Sequence, residues 1–170
     1  MNFEIYLNEF KKSVSRLDQG ILNRKNLEVS VGIVLDSVCL KLYKKNWTNN
    51  FADPLNAEAR IFFSVWLGDK TVKEKKLCYN IHAFKLRKLT HHPVISKAFA
   101  ADFRERFSKH DADWENVSVN FGPLTLMEGW VELEEENIEN KVVELANKFI
   151  EIDYLVDDSL KSFGYIVPKI

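Results

Sequence analysis

The spacing of apolar residues predicts three helices, one near each end of the chain and one in the middle. Apolar residues recur every three or four positions in residues 3–21, with charged residues between them, as on a helix with one buried face. In residues 95–107, one isoleucine and three phenylalanines are spaced by four, which predicts a helix with an aromatic edge. A third helical pattern follows Asn137, a residue type that favours helix N-caps, and continues to about residue 160.

Alternation of apolar and polar residues predicts strands between the first and second helices. Residues 27–35 and 38–42 alternate with opposite parity on either side of Asp36 and Ser37. Two strands joined by a tight turn or a bulge would produce this pattern. Residues 60–67 are strongly apolar and predict a third strand.

A turn at residues 68–70 separates this strand from a fourth, which alternates over residues 76–86. Two shorter strands are predicted after the second helix, at residues 117–121 and 124–133. The two faces of the fourth strand carry Leu77, Tyr79, Ile81 and Ala83 on one side and Cys78, Asn80, His82 and Phe84 on the other.

The order of these elements favours an α+β fold. Helices and strands do not alternate regularly, so we expect one domain spanning residues 1–170, with a mostly antiparallel sheet of about five or six strands. N-terminal, middle and C-terminal helices should pack on the sheet, with the first and last helices covering one face. The opposite face should be partly open and lined by Trp66, Cys78, His82 and Phe84. The residues that should be buried together are Phe10, Val14, Val31, Ile33, Phe63, Val65, Ile81, Phe99, Phe103, Val119, Leu145 and Phe149.

Composition narrows the class of protein. Of the 170 residues, 46% are apolar and 29% are charged, which is typical of a globular chain and not of a disordered one. Cys39 and Cys78 have no paired spacing, so we expect buried free thiols. The N-terminal residues lack the apolar block of a signal peptide, and no apolar run approaches the length of a membrane span. We therefore expect a cytoplasmic protein without membrane contact.

Charge is segregated along the sequence. Residues 69–109 contain eleven lysines and arginines against four acidic residues, a net charge of +7, whereas residues 110–160 contain two lysines against fourteen acidic residues, a net charge of −12. Both segments can be solvated faces that attract each other within the fold. The basic segment could instead bind nucleic acid, with Phe84 and Tyr79 near for base stacking. The cations of that hypothesis are Lys85, Arg87, Lys88, Arg104 and Arg106.

Two adjacent histidines, His91 and His92, precede Pro93. Proline is tolerated at the first position of a helix, so this pattern predicts a helix start with His92 at the cap. A metal site would need a further ligand, such as His82, His110 or a carboxylate. Adjacent histidines in an extended chain point in different directions, and no HExxH or paired CxxC spacing is present. The helix start is the favoured interpretation, and no metal or cofactor is assigned.

Motifs for catalysis are scarce in this sequence. It contains no glycine-rich phosphate loop and no GxSxG elbow. The element order is similar to that of the restriction-endonuclease core and of secretion-chaperone-like domains, but element order alone assigns neither family. A nuclease of the first type needs an acidic residue and then a carboxylate two positions before a lysine, on neighbouring strands. Asp53, Glu58 and Arg60 come nearest to that pattern, with arginine in place of lysine.

The sequence therefore predicts a non-enzymatic cytoplasmic binding domain whose partner is another protein. That partner would contact an exposed apolar patch or the charge-segregated surface. The alternative is a nucleic-acid-binding domain, or a metal-dependent nuclease-like domain acting through Asp53 and Glu58. No catalytic residue and no oligomeric state is assigned.

Overall fold

The computed structural model of the protein describes residues 1–89 and 94–165. Within these ranges the chain forms five β-strands and six α-helices, joined by loops and short 3₁₀ turns. The strands are β1 Glu28–Val34, β2 Ser37–Tyr43, β3 Arg60–Gly68, β4 Lys76–Phe84 and β5 Thr125–Glu132. The helices are α1 Phe3–Ser15, α2 Gln19–Arg24, α3 Asp69–Lys73, α4 Ser96–Phe107, α5 Ile138–Ile152 and α6 Tyr154–Ser162.

The five strands form one antiparallel sheet in the order β1-β2-β3-β4-β5, which confirms the predicted α+β fold. Strands β1 and β2 pair from Glu28 opposite Tyr43 to Val34 opposite Ser37. Leu35 and Asp36 join them with φ values of 46° and 58°. Left-handed backbone at both turn residues matches the right-handed twist of a hairpin, so the predicted turn is present, one residue earlier than expected.

The core lies between one face of the sheet and the helices. The Phe63 ring from β3 stacks on the Phe149 ring from α5, with centroids 4.5 Å apart and planes 4° apart. Phe10 from α1 and Phe103 from α4 belong to the same buried cluster. N-terminal, middle and C-terminal helices therefore all contribute to one core, as predicted.

One residue of the predicted core is exposed. Ile33 retains 54% of its accessible surface because it lies beside the turn at the end of edge strand β1, whereas its cross-strand partner Val38 is fully buried. Val14, Val31 and Val119 are partly buried against the core. The other members of the predicted set are buried: Phe10, Phe63, Val65, Ile81, Phe99, Phe103, Leu145 and Phe149.

The predicted first helix is interrupted. Helix α1 ends at Ser15 and α2 begins at Gln19, where Asp18 accepts a hydrogen bond from the Ile21 amide at 3.0 Å. A carboxylate that accepts from a first-turn amide caps a helix N-terminus. The single pattern of residues 3–21 therefore corresponds to two helices, because both segments place apolar residues toward the core.

The predicted last helix is also interrupted, at Asp153. The buried carboxylate of Asp153 lies 2.7 Å from the Lys25 ammonium and 2.7 Å from the Lys44 ammonium. Lys44 also pairs with Asp157 at 2.6 Å, and the Trp47 indole donates to the same carboxylate at 2.7 Å. This cluster, Lys25, Lys44, Trp47, Asp153 and Asp157, is the buried ion network. Each of its charged groups has a partner of opposite charge, as burial requires.

Two shorter elements differ from the predictions. The expected turn at residues 68–70 is the start of the short helix α3, whose Thr71 hydroxyl accepts from the Gly68 amide at 2.9 Å. The expected strand at residues 117–121 is reduced to one bridge between Ser118 and Glu128 of β5. Neither change alters the order of the sheet.

Candidate functional site

The register of the sheet sorts its side chains into two faces. On the face that packs into the core, Val65 lies between Leu40 and Tyr79 of the neighbouring strands. On the opposite face, a cleft of about 290 Å³ opens between the side chains of β2, β3, β4 and β5. We call this second side the open face. The predicted open-face residues Trp66, His82 and Phe84 line the cleft.

Cys78, the fourth predicted open-face residue, lines a neighbouring hollow with Trp66 and Trp130. Burial raises the pKa of the Cys78 thiol to about 11, and burial likewise raises the pKa of Cys39 to about 11. Both thiols are free, which confirms the predicted buried free thiols. Trp66 lies between them in the register, so two interstrand spacings of roughly 4.8 Å separate their backbones, beyond disulfide reach.

A polar row crosses the floor of the cleft. Lys41, Ser64, Asn80 and Glu128 are aligned on four consecutive strands. The Ser64 hydroxyl donates to the Asn80 side-chain carbonyl, and the Asn80 amide donates to Glu128 at 3.4 Å. Ser64 and Asn80 are buried. Since buried polar groups without partners destabilise a fold, these hydrogen bonds hold the floor in one arrangement.

Aromatic rings form one wall of the cleft. The Phe62 ring makes edge contacts with His82 and Phe84, at centroid distances of 5.5 and 5.6 Å, and His82 stacks on Phe84 at 5.0 Å. The His82 Nδ1 atom lies 3.3 Å from the Leu124 carbonyl oxygen and 3.2 Å from the Thr125 hydroxyl. Burial lowers the pKa of His82, so at neutral pH its imidazole is an uncharged part of this wall.

Two cations border this wall on the side of β2 and β3. The Lys41 ammonium lies 4.5 Å from the centroid of the Phe62 ring. The Arg60 guanidinium lies 5.9 Å from the same centroid and 5.1 Å from that of Phe84. Cations in such positions are attracted by the negative faces of aromatic rings. The cleft therefore combines an apolar wall with positive charge at one end.

The tip of the β1–β2 hairpin borders the cleft with apolar side chains. Val34 and Leu35 line the cleft, and Leu35 keeps 94% of its accessible surface. An exposed leucine at a hairpin tip contributes nothing to the core. The apolar surface thus continues from the cleft onto a projecting turn.

Four of the five residues in the nucleic-acid hypothesis have partners within the fold. Lys85 and Lys88 pair with the same Glu58 carboxylate at 2.9 and 2.7 Å. Hydrogen bonds from Lys88 and Lys85 lower the pKa of Glu58 to about 2. Arg106 pairs with Asp102 at 2.9 Å.

Arg104 binds backbone carbonyls in the loop before β5 and at the start of β5. Its guanidinium donates to the carbonyl oxygens of Phe121, Gly122, Thr125 and Leu126 at 2.8 to 3.0 Å. All five donors of a guanidinium lie in one plane, so this group fixes several carbonyls at once.

Arg87, the remaining residue of the set, is exposed. Among the ion pairs of residues 1–89 and 94–165, none joins the basic segment 69–109 to the acidic segment 110–160. Carboxylates of the acidic segment instead pair with Arg16, Lys25 and Lys44 from the N-terminal part of the chain.

The residues of the nuclease hypothesis are engaged with other side chains. Asp53 accepts two hydrogen bonds of 3.1 Å from the Asn56 amide, and Glu58 holds the two lysines. Arg60 belongs to the cleft. In the part of the chain that the structure describes, no three histidine, cysteine or acidic side chains are grouped as metal ligands.

The histidine pair, His91 and His92, lies outside the described residues, together with Pro93. Val94 and Ile95 are not helical, and α4 begins at Ser96. The helix that was predicted to begin at Pro93 therefore begins three residues later, at Ser96.

Comparison with protein-family models, with curated proteins and with solved structures finds no match for this chain. Among the helices of the described residues, none has both the length and the apolar character that crossing a bilayer requires.

Proposed function

We propose that this protein is a non-enzymatic binding domain that receives a segment of a protein partner on its open sheet face. The observation that carries the proposal is the continuity between the aromatic cleft and the exposed apolar hairpin tip at Val34 and Leu35. A concave apolar site with a few placed polar groups is the usual form of a binding pocket. An apolar surface that projects from a soluble fold beside such a pocket is typical of protein contacts.

The chemistry of the cleft supports binding more than catalysis. A nucleophile needs a lowered pKa or an adjacent base, whereas burial raises the pKa of Cys39. His82 is held by a backbone carbonyl and a threonine hydroxyl. Free thiols suit a reducing compartment, which supports a partner met in the cytoplasm.

Site-specific photocrosslinking tests this proposal in cells. Leu35 is replaced by benzoylphenylalanine, which its exposure allows without disturbing the core. The matched control places the same crosslinker at Ile5, an exposed apolar residue of α1. We expect one protein species to crosslink at position 35 and not at position 5.

The outcome that overturns the proposal is equal crosslinking at both positions, or none at position 35. Crosslinks to nucleic acid at position 35 would favour the alternative function. A second measurement introduces Trp66→Ala at the cleft together with the crosslinker at position 35. Loss of the captured species in that variant would tie the contact to the cleft and not to the tip alone.

A further inference from the structure

We infer that the cleft recognises a carboxylate carried beside an apolar side chain, as in an acidic segment of the partner protein. This inference rests on the proposed function and names the chemistry of the group that the cleft receives. The carboxylate would lie between Lys41 and Arg60, and the apolar group would contact the rings of Phe62 and Phe84.

The first argument is the absence of a counter-ion for two neighbouring cations. Within residues 1–89 and 94–165, neither Lys41 nor Arg60 forms an ion pair with a carboxylate. One amine of the Arg60 guanidinium donates to the Ala57 carbonyl, while its buried Nε has no acceptor in the described part of the chain. The structure thus leaves two positive charges without a counter-ion on the same side of the cleft.

The second argument is energetic. Burial lowers the pKa of Lys41, and the nearby charge of Arg60 lowers it further. Two partly desolvated cations without a counter-ion destabilise one another, and an anion within hydrogen-bonding distance of both would offset that cost. A cationic ligand would add to the repulsion, so the sign of the charge discriminates between ligands.

Glu128 explains why the cleft itself does not supply the anion. This residue shares the polar row with Lys41, but β3 and β4 lie between their strands. Three interstrand spacings of about 4.8 Å separate the two backbones by roughly 14 Å. Glu128 is instead the acceptor for the Asn80 amide. The cleft is therefore positive at the β2–β3 side and negative at β5, which orients a bound acidic segment.

The size of the cleft fits this ligand. Its volume of about 290 Å³ lies at the lower end of the range for small-ligand pockets. Such a space accommodates one side chain and a neighbouring carboxylate rather than a folded surface. The Trp66 indole ring adds apolar surface to the lining.

Fragment binding measured by NMR tests the inference on the unmodified protein. Phenylacetate supplies a carboxylate beside an aromatic ring, phenylacetamide is its neutral counterpart, and phenethylamine carries the opposite charge. We expect phenylacetate to shift the amide signals of Ser64, Asn80 and His82. Its affinity should be at least about tenfold higher than that of phenylacetamide, because one charge-assisted hydrogen bond commonly contributes that much to binding.

Equal affinity for phenylacetate and phenylacetamide would overturn the carboxylate inference and leave apolar docking intact. Absence of phenylacetate binding, or preference for phenethylamine, would also overturn it. In the variant Lys41→Met the preference for phenylacetate should disappear, while Lys70→Met, on the exposed start of α3, should retain it. Failure of the proposed function is read separately, from the crosslinking at position 35.

Discussion

The Lys41 ammonium lies 4.5 Å from the centroid of the Phe62 ring, on a sheet face where no carboxylate of the described residues pairs with it. This arrangement places an unneutralised positive charge against an aromatic wall that also contains His82. The charge should therefore influence the protonation of the histidine, which offers a direct measure of the electrostatics of the cleft.

We expect Lys41→Met to raise the pKa of His82. Burial is the largest cause of the lowered pKa, and the cations Lys41 and Arg60 lower it further. Removal of one cation favours the imidazolium and moves the pKa back toward the usual value near 6.5. Two-dimensional NMR of the His82 imidazole measures the midpoint of its titration. The pH is varied from about 4 to 8, a range that brackets the usual pKa.

The control for this titration is Lys70→Met, which should leave the midpoint unchanged.

Because the folded-state pKa of His82 lies below its unfolded value, the stability that its neutral form contributes is complete above about pH 6.5 and is lost as the pH falls through the folded-state pKa. An unchanged titration midpoint in Lys41→Met would show that the charge of Lys41 does not lower the pKa of His82.

The buried ion network should respond strongly to the loss of one charge. We expect Asp153→Asn to lower the free energy of unfolding by about 3 kcal/mol, because Lys25 and Lys44 then keep charges that Asp153 no longer neutralises. Asp158→Asn removes an exposed partner of Lys161 at 3.5 Å and should cost less than about 1 kcal/mol. Urea denaturation compares the two variants, and similar losses would contradict the role of the network.

The aromatic edge of α4 provides a test of the core. Phe103 is fully buried, so Phe103→Ala should destabilise the protein by about 3 to 5 kcal/mol. Phe51→Ala, at an exposed loop position, serves as the matched control and should change stability little. A loss below about 1 kcal/mol for Phe103→Ala would be inconsistent with a buried site.

The basic segment should bind nucleic acid weakly or not at all. Lys85 and Lys88 are paired with Glu58, and Arg104 is bound to carbonyls, so few cations are free to neutralise phosphates. Five phosphate contacts on a single strand would give a log-log salt slope of about −3.5. We expect fluorescence anisotropy with a labelled oligonucleotide to show no such slope.

The double variant Arg87→Glu and Lys88→Glu is the corresponding control. It should behave like the parent protein toward the oligonucleotide, with nearly the same melting temperature, because exposed charges contribute little to stability. Steep salt-dependent binding that this variant loses would restore nucleic acid as the partner.

The two faces of β4 could be predicted because alternation has a period of two and burial follows it directly. Tyr79 and Ile81 are in the core, while His82 and Phe84 line the cleft. The sequence was therefore sufficient to predict this part of the site. The exposure of Ile33 was not, since alternation alone does not show where helix coverage of an edge strand ends.

The cations of the cleft could not be predicted, because cross-strand neighbours are set by register. Lys41 lies opposite Ser64, and Phe62 lies opposite His82. The two members of each pair are far enough apart along the chain that no local sequence pattern predicts their contact. The same holds for Asp153, whose partners are far away in sequence. The sequence can show only which side chains of one strand share a face, because side chains alternate along a strand.

The ion pair between Lys25 and Asp153 joins residues 128 positions apart, and the Phe63 ring is covered by a helix that is made late in synthesis. During translation the first four strands therefore leave the ribosome before α5 can cover Phe63 on their core face. Such long-range closure slows folding and exposes apolar strands while the chain is incomplete. Until α5 has emerged, this part of the core face stays exposed to contact with other chains.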